Sequence, residues 1–264
     1  MERIKVALEK AREQRGDAPP AAAKPAPAPA ANTEGISYTQ TKTVKVSPAL
    51  MKKNRLIPAF QDGPYADAYK ILRTQVLQRM KENGWKVLAV TSPGEGEGKT
   101  VTAINLAVSL AMEINHTVLL VDADLRHPSI HEKLGIGEAR GLSDYLLDDA
   151  PLQELLVHPE GLDKVVLLPA GRAVRNSAEL LNSPKMVQLV EELKDRYPER
   201  LVVFDLPPVL TAADALAFAP YVDAALLVLE EGKTQQEEAR RAVELLDQTN
   251  ILGTVLNKSG LVEA

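Results

Sequence analysis

No cysteine occurs among the 264 residues, which excludes a disulfide framework and a thiolate metal site and fits a reducing compartment. There is no excess of basic charge either. Lys and Arg number 31 against 36 Asp and Glu, a net charge of -5, so the chain lacks the overall electrostatic footprint of a nucleic-acid binder and no nucleic-acid partner is expected. No stretch reaches the roughly 18 to 20 uninterrupted apolar residues of a spanning helix. The opening Met1-Glu2-Arg3-Ile4-Lys5 lacks the apolar centre of a secretion signal, so the expectation is a soluble, cytoplasmic protein. What is present is 45% hydrophobic residues, enough for the core of one α/β domain with an appendage.

The appendage lies at the start. Residues 1–16 carry Ile4, Ala7 or Leu8, and Ala11 on one side of a short helix, which is marginal without a partner. Residues 17–59 then read as a flexible linker, because Pro19, Pro20, Pro25, Pro27 and Pro29 forbid helix and little is available to bury. Thr41 to Lys45 can extend briefly, but Ser47-Pro48 and Ile57-Pro58 interrupt the pattern, which places the folded boundary near Phe60 and the domain at 60–264.

From Asp62-Gly63-Pro64 a helix is expected, with Tyr65, Tyr69, Leu72, Val76 and Met80 on its packed side and Gly84 at its end. Six short apolar runs follow: Lys86 to Thr91, Thr117 to Val121, Lys164 to Leu168, Leu201 to Phe204, Ala224 to Leu229 and Ile251 to Leu256. Nearly continuous apolar character marks strands covered on both faces, and helical stretches separate them. Ser183-Pro184 caps one such helix, and Thr234-Gln235-Gln236-Glu237 reads as a capping box that opens another. The fold class is therefore α/β: a doubly wound, mostly parallel sheet with helices on both faces.

The chemistry concentrates after the first of these strands. Pro93-Gly94-Glu95-Gly96-Glu97-Gly98-Lys99-Thr100 runs into a helix over Val101 to Met112, the strand, loop and helix order of a phosphate-binding loop. Glycines let backbone N–H groups converge on phosphate oxygens, Lys99 reaches the β and γ phosphates, and the Thr100 hydroxyl can ligate magnesium. Gly94, Glu95, Gly96, Glu97, Gly98, Lys99, Thr100 and Val101 are thus the candidate nucleotide contacts, with ATP and Mg2+ the expected ligands. One departure stands out: the usual spacing puts glycine where this chain has Pro93. The next strand ends in Asp122-Ala123-Asp124-Leu125-Arg126, and another in Asp205-Leu206-Pro207-Pro208. Acids at the carboxyl edge of a parallel sheet lie beside the phosphate loop, where they suit metal chemistry.

Asp122-Ala123-Asp124-Leu125-Arg126-His127-Pro128, with Leu168-Pro169-Ala170-Gly171, Ala178-Glu179-Leu180-Leu181 and Asp205-Leu206-Pro207-Pro208, resembles the bacterial tyrosine kinases of polysaccharide biosynthesis, the BY-kinases, over about Tyr65 to Ser259. The short helix and Pro-rich linker also resemble the soluble autokinases of exosortase-linked polysaccharide systems. The resemblance implies transfer of the ATP γ-phosphate to tyrosine. It implies Lys99, Asp122, Asp124 and Arg126 as catalytic, with Asp122 as base for the tyrosine, and Thr100, Asp124 and Asp205 around the metal. Arg126 either neutralises charge near the γ-phosphate or is a solvated arginine after a strand. Asn257 and Lys258 sit where related ATPases contact the base, although a turn asparagine fits as well. The implied partners are a membrane polysaccharide co-polymerase or chain-length determinant, which recruits the protein to the inner face of the plasma membrane, and a second copy acting in trans.

Two departures qualify the resemblance. No tyrosine follows Tyr221, whereas the family usually carries a C-terminal tyrosine cluster, so Tyr38 becomes the most accessible acceptor. The family's E-x-x-R-x-x-R element of ring assembly is replaced by Asp67-Ala68-Tyr69-Lys70-Ile71-Leu72-Arg73. The alternative is a partitioning or positioning ATPase of the same broad fold serving as a regulatory scaffold. Those ATPases place a signature lysine five residues before the catalytic one, where this chain has Gly94.

Overall fold

A computed structural model describes residues 41–57, 63–113, 116–195 and 199–260. The expected helix 1–16, Tyr38, Phe60 and Tyr197 lie outside the described residues.

In chain order the elements are β1 (Lys42–Val44), α1 (Pro48–Lys53), α2 (Pro64–Asn83), β2 (Val87–Thr91), α3 (Lys99–Ala111), β3 (Thr117–Asp122), α4 (Ile130–Leu134), α5 (Leu142–Asp148), α6 (Leu152–Leu155), β4 (Val157–Pro159), β5 (Val165–Leu168), α7 (Ser177–Leu181), α8 (Pro184–Asp195), β6 (Arg200–Asp205), α9 (Asp214–Phe218), β7 (Ala224–Glu230), α10 (Gln236–Leu245) and β8 (Asn250–Asn257). The eight strands form one sheet in the order β1-β4-β5-β3-β6-β2-β7-β8. All neighbours are parallel except β4 and β5. After β2 the chain builds β3, β5 and β6 on one side of it and then returns to add β7 and β8 on the other. The loop that follows β2 therefore lies at the switch point, where open α/β sheets bind ligands.

Strand alternation sorts the core into two layers. Val87, Ala89, Val202 and Phe204 point to the face covered by α5–α10, whereas Leu88, Val90, Leu201 and Val203 point to the face covered by α1–α4. Both faces being covered is why the strands read as continuous apolar runs. β8 departs from this reading: it is an edge strand, and Leu256 is 57% exposed. The α2 pattern holds, with Tyr69, Val76 and Met80 buried, and Gly84 ends the helix in the left-handed conformation at φ 69° that glycine adopts without penalty.

Three expectations need correction. Lys42–Val44 is a strand paired with β4, and Pro48–Lys53 is a helix whose Met51 is buried, so the fold begins well before Phe60. Ser47-Pro48 starts a helix instead of breaking one. The Ser47 hydroxyl accepts the Leu50 N–H at 3.3 Å, and proline at the first helical position sacrifices no hydrogen bond. The box opening α10 also shifts by one residue: Glu238 accepts the Gln235 N–H at 2.9 Å, while Thr234 turns toward the phosphate loop.

Candidate active site

The phosphate loop leaves β2 and closes on itself before α3 begins. The Glu97 carboxylate folds back to accept the Gly94 N–H at 3.1 Å, and its other oxygen accepts the Thr234 hydroxyl at 2.5 Å. Two lysines brace the outer side: Lys233 donates to the Glu95 carbonyl and Lys258 to the Gly96 carbonyl, each at 2.8 Å. Asn257 donates to the Glu97 carbonyl at 2.8 Å. A methyl group at Gly98, whose φ is 98°, would sit 2.0 Å from that Asn257 amide. Glycine there is thus required twice, by backbone conformation and by space.

Lys99 opens α3 and reaches across to the strand ends. Its Nζ lies 2.8 Å from Asp124 Oδ2, 3.4 Å from Asp205 Oδ1 and 3.3 Å from the Thr100 hydroxyl. Burial works against its charge, but Asp205 and Asp124 outweigh that cost and hold its pKa above the ordinary lysine value. The acids are close because register makes them so: Asp122 and Asp205 are direct partners on adjacent strands. Both are fully buried. Asp122 Oδ2 accepts the Ser129 and Ile130 N–H groups, each at 3.1 Å, at the start of α4. Burial, reinforced by Asp205, pushes the Asp122 carboxyl up to about 7. Asp205 is also raised by burial, against the pull of Lys99 and a bond from the Thr100 hydroxyl. Asp122 Oδ1 and Asp205 Oδ2 are buried without a hydrogen-bond partner among the described residues.

These groups stand around a cavity of about 510 Å³ lined by Gly96, Lys99, Thr100, Asp124, Arg126 and Pro208. A groove of about 900 Å³ adjoins it, lined by Tyr65, Leu72, Val101, Leu256 and Asn257, and Gly98 and Val101 border both. Together they have the room that a nucleotide requires.

The comparisons with known proteins agree with this geometry. The family model described as ParA, NUBPL iron-transfer P-loop NTPase, matches residues 84–264. The tyrosine-protein kinase YwqD of Bacillus subtilis is 34% identical over 209 residues, covering 78% of this chain and 86% of that protein. The chain belongs to the bacterial tyrosine-protein kinases, within the ParA-type P-loop NTPases. The kinase domain of the Escherichia coli tyrosine kinase ETK superposes with a TM-score of 0.72 at 30% identity, covering 82% of this chain and 88% of that one. The succinoglycan biosynthesis transport protein ExoP of Rhizobium meliloti is 32% identical over 226 residues, which is 81% of this chain but only 28% of ExoP.

Within this kinase fold, Lys99, Thr100, Asp122, Asp124 and Asp205 meet at one point. Asn257 lines the adjoining groove and donates an amide N–H to the loop backbone at Glu97. Arg126 lines the cavity and pairs through Nε with Asp214 at 2.9 Å. Sequence reasoning missed Asp214, Lys233 and Thr234. Each lies more than 80 positions from its partner, and none sits in a local pattern that signals chemistry.

Proposed function

We propose that the chain is an ATP- and Mg2+-dependent tyrosine autokinase of exopolysaccharide or capsular polysaccharide biosynthesis. The observation that carries the reading is the Lys99 ammonium held between the phosphate loop and two strand-end carboxylates, with a third, Asp122, beside them. Phosphates entering the cavity would compete with Asp124 and Asp205 for Lys99, and the loop N–H groups would take the remaining oxygens. The residues suit magnesium. Thr100, Asp124 and the unpartnered Asp205 Oδ2 are hard oxygen donors. When bound, magnesium neutralises charge on the transferring phosphate. Asp122 takes the tyrosine proton, which a carboxyl with a pKa near 7 does effectively at neutral pH.

Tyr38 is the acceptor in this reading. Three of the four described tyrosines are poor candidates: Tyr69 is buried, the Tyr65 hydroxyl donates to the Arg55 carbonyl at 2.8 Å, and the Tyr221 hydroxyl donates to Asn182 at 2.5 Å. The match to part of ExoP, a polysaccharide transport protein, supports a membrane co-polymerase or chain-length determinant as activating partner. Transfer between copies at the cytoplasmic face of the membrane belongs to the same proposal. Among the described residues no helix is long and apolar enough to cross a membrane. Iron transfer, named in the family description, lacks cysteine ligands in this sequence. Incubation with labelled ATP and the membrane partner should give phosphotyrosine that is lost in Lys99→Ala. Label confined to serine or threonine, or unaffected by that change, rules the reading out.

A further inference from the structure

Asp214 is fully buried in the first turn of α9, yet its carboxylate makes no cap to that helix. Its Oδ2 accepts Arg126 Nε at 2.9 Å, and its Oδ1 has no hydrogen-bond partner among the described residues. Arg126 belongs to a different part of the chain, after β3, and its side chain is 39% exposed where it lines the phosphate cavity beside Lys99 and Asp124. A buried carboxylate is costly unless paired, so Asp214 holds Arg126 and Arg126 compensates Asp214. The pairing is directional. Nε lies at the rear of the guanidinium fork, and fixing it there leaves the terminal nitrogens, which have no partner among the described residues, to act as donors in the cavity.

The support behind Asp214 is rigid. Phe218 in α9 packs on Phe204 with ring centroids 4.8 Å apart, and Phe204 precedes Asp205 in β6. The segment between β6 and α9 is bonded to the entry of the phosphate loop: Val209 donates to the Ser92 carbonyl at 2.8 Å and Leu210 to the Pro93 carbonyl at 3.1 Å. Asp214, Asp205 and the phosphate loop thus share one frame.

We infer that Asp214 is a positioning residue that acts through Arg126, aiming its guanidinium at the phosphoryl group in transfer. The inference rests on the reading of this cavity as the phosphate site. A charge that merely neutralised the core would affect stability alone; a positioning charge affects turnover, and only while Arg126 is present.

The test is a double-mutant cycle on the full chain, measuring ADP release and phosphotyrosine for wild type, Asp214→Asn, Arg126→Ala and the double variant. Asp214→Asn should lower kcat about tenfold with the KM for ATP within about twofold, and should cost less than about twofold in the Arg126→Ala background. Equal losses in both backgrounds, an unchanged kcat in Asp214→Asn, or an Arg126→Ala protein with normal turnover overturns the inference. If Asp214→Asn does not fold, Asp214→Glu keeps the charge and displaces the fork, and the same dependence on Arg126 must appear. Coupling seen in ADP release without phosphotyrosine removes the kinase reading and leaves the inference standing; phosphotyrosine without coupling does the reverse.

Discussion

Asp122 and Asp205 are placed side by side by strand register and denied water, and Lys99 is shared unequally between Asp205 and Asp124. Such a cluster is built at a cost to the nucleotide-free fold. The Asp122 pKa is raised from 3.8 to about 7, so the folded chain binds its proton more tightly than the unfolded chain does. That contribution to stability is complete below about pH 4 and is lost as the pH rises toward 7. Asp122→Asn keeps an oxygen for the Ser129 and Ile130 N–H groups and removes the charge. It should therefore raise the thermal midpoint of the nucleotide-free protein at pH 7.5 by several degrees, about 2 kcal/mol, and change it little near pH 4. A lower midpoint at pH 7.5 would show that the carboxylate stabilises the fold. The same substitution should abolish phosphotransfer. The placing of residues together was legible where a motif is written locally, as in Gly98-Lys99-Thr100 and Asp122-Ala123-Asp124. Asp214 was not, because nothing in Thr211-Ala212-Ala213-Asp214-Ala215 distinguishes it from an ordinary helix start.

Among the elements, α3 links the phosphate loop to the segment that precedes the expected domain. Asn105, buried in the middle of α3, accepts the Ile57 N–H at 2.9 Å and donates to the Arg55 carbonyl at 3.0 Å and to the Tyr65 hydroxyl at 2.9 Å. One side chain thereby ties the backbone at the end of the β1–α1 segment to a tyrosine hydroxyl at the start of α2. Asn105→Ala leaves buried polar groups without partners and should cost about 3 kcal/mol, read as a lower thermal midpoint and faster hydrogen exchange at Ile57. Exchange at Ile57 unchanged from wild type would show that the segment is held by its apolar contacts alone. The five interior strands β2, β3, β5, β6 and β7 were legible because burial on both faces writes itself as continuous apolar sequence. β4 was not, since its three residues carry too little pattern, and α1 was hidden because proline marks a helix start as readily as a break.

At the scale of the whole molecule, a P-loop kinase fold holds its reacting groups in a cavity at the switch point of the sheet, with an open groove beside it. The fold class followed from strand and helix alternation alone. The acceptor did not, because a tyrosine that is phosphorylated in trans needs no pattern around it beyond access. The most direct measurement is mass-spectrometric mapping of phosphate on the full chain after incubation with Mg2+ and ATP, alone and with the membrane partner. Phosphotyrosine at Tyr38, increased by the partner and absent from Lys99→Ala, is the predicted result. ATP turned over to ADP with none of the six tyrosines phosphorylated would contradict the account.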